Sequence, residues 1–127
     1  MNPADSPATP IPSATPSAPA AVSANDFKRI DLRTAKIVDV REHPNADRLW
    51  VLMLDIGEGK TKEIVAGVRS HHSKESLLNR TIILVNNLEP AAIRGVTSNG
   101  MMLAARHGDV LALLTTDPTV PPGTKIS

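Results

Sequence analysis

The sequence predicts an all-β domain of short strands, interrupted by a single short helix between the third and fourth strands. Three observations carry this. Apolar residues alternate with polar ones in short runs rather than recurring at helical spacing. Gly, Pro, Asn and Asp gather between those runs, where a chain has to turn. No uninterrupted apolar stretch in the 127 residues approaches the roughly 20 that a membrane span needs.

Taken in order, Asp31 to Val40 is the first strand. Ala35 and Ile37 lie on one side of it and Leu32, Val38 and Val40 on the other, an imperfect alternation. The run His43-Pro44-Asn45-Ala46-Asp47 breaks it: Pro44 fixes φ and removes a donor, while Asn45 and Asp47 favour turns. Leu49 to Ile56 is the second strand, and Gly57-Glu58-Gly59-Lys60 turns it back into Thr61 to Val68. Ser70 to Asn79 reads as the helix, capped by Ser73, with Leu77 and Leu78 facing inward. Thr81 to Leu88 is a strand around the apolar run Ile82 to Val85, and Glu89 to Asn99 is a long polar loop. Gly100 to Ala105 and Val110 to Thr115 are two further strands around the turn Arg106-His107-Gly108-Asp109. Pro118, Pro121, Pro122 and Gly123 then end regular structure, leaving Asp117 to Ser127 as a C-terminal extension. Three strands, a helix and more strands is the order of the oligonucleotide-binding barrel, whose loop between strands four and five helps to bind ligand. The turn pattern alone also permits other small barrels or a sandwich.

Composition divides the chain in two. Residues 1–24 hold six of the eleven prolines and seven alanines, with almost nothing apolar to bury, and should form an extended, disordered arm. Residues 25–127 are then the folded domain, large enough for one core and too small for two. No Lys or Arg precedes Lys28, so the basic start of a secretory signal is missing, and a soluble, cytoplasmic protein is expected. All 14 Lys and Arg and all but one of the 13 acids lie after residue 24, leaving the domain at +2. That is too little for a global field, so any nucleic-acid contact has to use a local patch. Lys28, Arg29, Arg33, Lys36 and Arg41 form a modest basic cluster around the first strand.

Several chemistries are excluded. With no cysteine there are no disulfides, thiolate metal sites or cysteine nucleophiles. His71 and His72 are adjacent, and neighbouring helical residues point about 100° apart, so a solvated or half-packed pair is expected rather than a metal site. His43 and His107 are isolated turn residues. No Ser-His-Asp order, phosphate-cradling glycine loop or paired carboxylates appear, so no enzyme active site, cofactor or metal is expected. Phe27 and Trp50 are the only aromatic residues, and Trp50 lies in a strand where burial is expected. A base-stacking platform for long single strands needs several rings. Recognition of folded RNA by shape, phosphate and 2′-hydroxyl contacts does not.

Two segments carry a resemblance: His-Pro-Asn-Ala-Asp-Arg-Leu (His43 to Leu49) and Leu-Glu-Pro-Ala-Ala-Ile-Arg-Gly-Val-Thr-Ser-Asn-Gly-Met (Leu88 to Met101). Together they resemble the signature of the tRNA-binding domain. That domain is shared by the methionyl-tRNA synthetase C-terminal appendage, free-standing structure-specific tRNA-binding proteins and endothelial monocyte-activating polypeptide II. The resemblance runs from about Phe27 to Ser127 and selects the oligonucleotide-binding barrel. It implies a non-catalytic domain that recognises tRNA by shape. The implied contacts are Arg33, Lys36, Asn45, Arg48, Asn87, Arg94, Ser98, Asn99 and Met101. Arg94 is suited to a forked phosphate contact, Ser98 and Asn99 to ribose or base edges, and Met101 to the face of a base. Asp47 is expected to hold its turn together instead. This chain departs from the family in having Thr34-Ala35 where Val-Gly is usual. It also has Glu89 and Ala92 where lysines are common, which weakens phosphate attraction. The expected partners are tRNA, an aminoacyl-tRNA synthetase such as methionyl-tRNA synthetase, and a second copy in a homodimer, with Val120 and Ile126 packing on the barrel or on that copy. Met1 followed by the arm reads as a natural start rather than a cut from a larger synthetase. The alternative is a protein-interaction or chaperone-like barrel of the same fold without a nucleic-acid ligand.

Overall fold

A computed structural model describes residues 19–117 and 119–127, so the arm expected over residues 1–24 lies outside the described residues for its first 18 positions. The first element among the described residues is a helix that the sequence pattern does not reveal: α1, Ala24–Lys28, opened by Ser23, whose hydroxyl accepts the Asp26 N–H at 3.0 Å. Five exposed residues are too few for an apolar period to show.

The first three strands, β1 (Leu32–Glu42), β2 (Trp50–Asp55) and β3 (Thr61–Ala66), form the expected antiparallel meander. A bulge between Ile37 and Asp39 explains the imperfect alternation of β1. The extra residue turns Val38 outward and brings Val40 onto the same buried face as Ala35 and Ile37. The helix between strands three and four, α2, is confined to Lys74–Leu77, shorter than the expected Ser70–Asn79. Ser73 caps it as foreseen, but Leu78 has already left helical geometry and is exposed, while Leu77 is fully buried.

β4 (Thr81–Val85) pairs with β1 and stops three residues before the expected Leu88. The region expected as a long loop is instead a hairpin, β5 (Ala91–Ile93) and β6 (Val96–Ser98), turning at Arg94-Gly95. Both turn residues have positive φ, +54° and +91°, as a two-residue hairpin with the twist of its strands requires. The loop expectation failed because Asn-Gly or Asp-Gly normally signals that turn, and arginine carries a steric cost in this conformation. The expected strand Gly100 to Ala105 divides at Leu103 into β7 (Met101–Met102) and β8 (Ala104–His107), and β8 pairs with β9 (Val110–Leu113). In the C-terminal extension, β10 (Lys125–Ile126) adds to β1 beside Leu32 and Arg33.

The main sheet runs β3-β2-β1-β4-β7 and curls into a half-barrel, the oligonucleotide-binding type of fold. Its open side is closed by the Ser98 and Asn99 side chains together with a backbone bond, rather than by a continuous ladder. The Ser98 hydroxyl accepts the Val65 N–H and donates to the Gly100 carbonyl, each at 3.0 Å. The Asn99 backbone and side-chain amides both donate to the Glu63 carbonyl, at 3.0 and 3.2 Å. Gly100 makes this closure fit, since a Cβ there would sit 2.9 Å from both Leu84 Cδ1 and the Val85 carbonyl oxygen. Inside lie Ile37, Leu52, Leu54, Ile64, Leu77, Ile82 and Leu84, all fully buried, with Leu111 and Leu113 of β9 completing the core.

Candidate functional site

Between β1 and β2 the chain makes the turn 43–49, and the β5–β6 hairpin folds against it. His43 is the junction. It is only 5% exposed, its Nδ1 accepts the Asn45 N–H at 2.9 Å, and its Nε2 lies 2.9 Å from the Ile93 carbonyl. Because Nδ1 accepts, the ring proton is on Nε2, which donates to Ile93. Asn45 then bonds Arg94 reciprocally: its side-chain amide donates to the Arg94 carbonyl at 3.0 Å, and the Arg94 guanidinium donates to the Asn45 carbonyl at 3.3 Å. Gly95 sits so close that a Cβ would lie 3.3 Å from the Asn45 amide. The contacts across the two segments hold Arg94 in a left-handed conformation that a non-glycine residue adopts at a cost of roughly 1–2 kcal/mol.

Arg48 and Arg94 share one shallow depression of about 380 Å³ with Ala46, Asp47 and Leu49. Both arginines are exposed, and among the described residues neither has a carboxylate within ion-pair distance. Two unpaired guanidinium groups on one rim form a local positive site with planar, forked donors, suited to phosphate oxygens. The rim thus unites Asn45, Arg48 and Arg94 of the expected contact residues.

The other expected residues lie elsewhere. Arg33 is ion-paired through Nε with both carboxylate oxygens of Asp31, at 2.9 and 3.1 Å. Asp31 also accepts the Asn86 amide at 3.0 Å, and Asn86 takes the Lys62 ammonium on its own carbonyl groups. The Asn86 hydrogen bond, with the Arg33 hydrogen bond and charge, holds the Asp31 carboxyl below its ordinary value. Lys36 is three residues from Arg33, so strand alternation places the two on opposite faces of β1. The Asn87 side chain accepts the Asp31 N–H and donates to the Arg29 carbonyl, tying α1 to the end of β4. Ser98, expected as a ribose or base contact, is 4% exposed, with its hydroxyl engaged on both sides in barrel closure. Asn99 likewise spends its side-chain amide on barrel closure. Met101 is exposed, while Met102 packs against the core, the division that alternation predicts. Met101 and Asn87 line a second depression with Arg29 and Leu88, away from the Arg48–Arg94 rim.

The basic cluster expected around β1 is largely neutralised. Arg29 pairs with Asp26, and Arg41 with Asp39 and Glu63. Trp50 is buried as expected, its ring under the Arg69 guanidinium at 4.3 Å and its Nε1 donating to the His72 carbonyl. His71 is exposed and His72 half-buried, its Nε2 2.7 Å from the Leu111 carbonyl. His43 is the residue that the sequence reading underrated. Its place inside the 43–49 heptad was the signal, but nothing in a single sequence pairs it with Ile93.

Residues 32–125 match the sequence model of the family described as "Putative tRNA binding domain". Methionine-tRNA ligase of Pyrococcus furiosus is 49% identical over 105 residues, covering 83% of this chain and 14% of the ligase. The chain therefore spans about a seventh of that relative's length. Among solved structures, the MetRS related protein from Pyrococcus horikoshii superposes with a TM-score of 0.79 at 24% identity, covering 85% of this chain and 99% of that one. The CsaA chaperone protein from Picrophilus torridus superposes with a TM-score of 0.78 at 32% identity, covering 84% and 100%.

Proposed function

Because the chain belongs to the tRNA-binding domain family, we propose that it binds tRNA through the rim of Asn45, Arg48 and Arg94, reading the shape of the folded RNA and not its sequence. The observation that carries this reading is the pair of unneutralised guanidinium groups on one rim, in a domain whose other arginines are mostly ion-paired. Forked cations contact phosphates without regard to base identity. With few phosphates engaged, affinity is modest and its salt dependence shallow, roughly 0.7 to 0.9 of a log unit per contact per decade of salt. Filter binding with several unrelated tRNAs and an unstructured RNA of equal length tests this. Similar affinity for all the tRNAs and weaker binding of the unstructured RNA is expected, and equal affinity for both would overturn shape reading.

The domain works without catalysis, raising the local concentration of tRNA for an aminoacyl-tRNA synthetase such as methionyl-tRNA synthetase, in the cytoplasm. Two copies act together. An apolar depression of about 450 Å³ beside α1, lined by Phe27, Ile30 and Ile126, offers each copy a surface to bury, and two rims on one tRNA gain avidity without new contacts. Sedimentation equilibrium should give twice the monomer mass. A monomer well above the tRNA-binding concentration would remove the second copy from the account.

A second reading has one supporting observation, the likeness to a protein described as a chaperone over that protein's full length. It assigns the apolar depression to a polypeptide ligand. Direct binding decides between the two: an unfolded polypeptide that binds where tRNA does not would favour it.

A further inference from the structure

We infer that His43 is a positioning residue for RNA recognition, acting through Asn45 and Arg94 and not by touching the ligand. This rests on the tRNA-binding reading above. Buried polar side chains are few here: Thr34, His43 and Ser98 are those among the described residues. Thr34 is bonded to the C-terminal extension and Ser98 closes the barrel. His43 joins the turn to a hairpin 50 residues away, and both its ring nitrogens bond backbone groups of those segments.

The geometry explains why an imidazole is needed. One planar group must accept an N–H from residue 45 on one nitrogen and donate to the residue 93 carbonyl on the other. Neutral histidine with its proton on Nε2 does both, and no aliphatic side chain does either. Ile93 immediately precedes Arg94, and Asn45 grips the Arg94 carbonyl, so the ring fixes both supports of the arginine. The charged groups on the surrounding segments are committed elsewhere or face outward. Arg41 pairs with Asp39 and Glu63, and Glu42 with Arg69, while Asp47, Arg48 and Arg94 are exposed. With both ring nitrogens on backbone partners, no side-chain carboxylate is needed to set the tautomer. If His43 loosens, Arg94 relaxes from its left-handed turn and its guanidinium loses its fixed place beside Arg48.

The test uses the full chain and a single tRNA, with His43→Ala, His43→Gln, Arg94→Ala and the Arg94→Ala/His43→Ala double variant. His43→Ala should weaken binding about tenfold, the scale of losing a hydrogen-bonded support. His43→Gln, whose amide N–H reaches toward the Nε2 position, should recover part of that loss. The double variant should bind within about twofold of Arg94→Ala alone, because coupled residues are not additive. Multiplying losses, or wild-type affinity for His43→Ala beside a weakened Arg94→Ala, would overturn the positioning role. Wild-type affinity for Arg94→Ala would instead sink the rim itself, and this inference with it. Nitrogen-15 spectra of the unmutated chain give a readout that does not depend on a variant folding. The His43 ring should carry its proton on Nε2 with Nδ1 bare, and the opposite tautomer would contradict the assignment.

Discussion

Two polar regions flank this barrel, and they use the same residue types to opposite ends. At the β1–α1 side, Arg33, Lys62, Asn86 and Asn87 are joined to Asp31, to one another and to backbone groups, and the Arg33 charge is met by a carboxylate. At the rim, backbone carbonyls and one buried histidine hold Asn45 and Arg94, and among the described residues Arg48 and Arg94 have no carboxylate within ion-pair distance. A basic residue in the sequence is therefore a poor guide to a binding site. What matters is whether folding has already given it a counter-ion. The first region ties α1 and β1 to the end of β4, and the second leaves unmatched the charge that the proposed tRNA contact would use.

Substitutions in the two regions should separate accordingly. Arg94→Ala is expected to have the largest effect on affinity, about tenfold or more for every tRNA alike, with the salt slope reduced by about one contact. Filter binding across a salt series measures both, and an unchanged slope would detach Arg94 from the phosphate backbone. Ser98→Ala should produce the largest effect on stability, about 1–3 kcal/mol, because it leaves the buried Val65 N–H without an acceptor. Its tRNA affinity per folded molecule should stay at wild type, and a loss of affinity at full folding would restore Ser98 as a contact.

Arg33→Ala tests the other side of the comparison. Its half-exposed ion pair is worth about 0.2–1 kcal/mol, so denaturation should show a small loss and tRNA affinity should move by less than about twofold. A tenfold loss of affinity would show that the ion pair opens to meet RNA. The smallest effect concerns pH. Asp31 has its folded-state carboxyl lowered, so its contribution is present above the unfolded value near 3.8 and fades as pH falls below that. Asp31→Asn should remove that part of the acid sensitivity, seen as a flatter stability curve below about pH 4.

Much of the fold was legible because its signals are local. The first three strands, the turn between β2 and β3 and the Ser73 cap follow from apolar runs and turn chemistry within a few residues. The bulge in β1 was visible as a flaw in alternation, although its position needed the pairing with β2. The β5–β6 hairpin was not legible, since Arg94 holds positive φ through Asn45, 49 residues away. The same limit applied to the site. The resemblance pointed to both segments of the rim, but Ser98 and Asn99 look like exposed polar loop residues until β3 is seen to use them for barrel closure. Arg33 looks like a free cation until Asp31 is found beside it.

The contrast between the two regions can be read in one titration. Adding tRNA to the nitrogen-15-labelled full chain reports every backbone amide and arginine Nε–H together. Shifts and broadening should concentrate in residues 43–49 and 91–98 and at the Nε of Arg48 and Arg94, leaving Arg33 and Asn87 close to their free positions. Perturbation centred on residues 29–33 and 86–88, with the rim unmoved, would contradict the account.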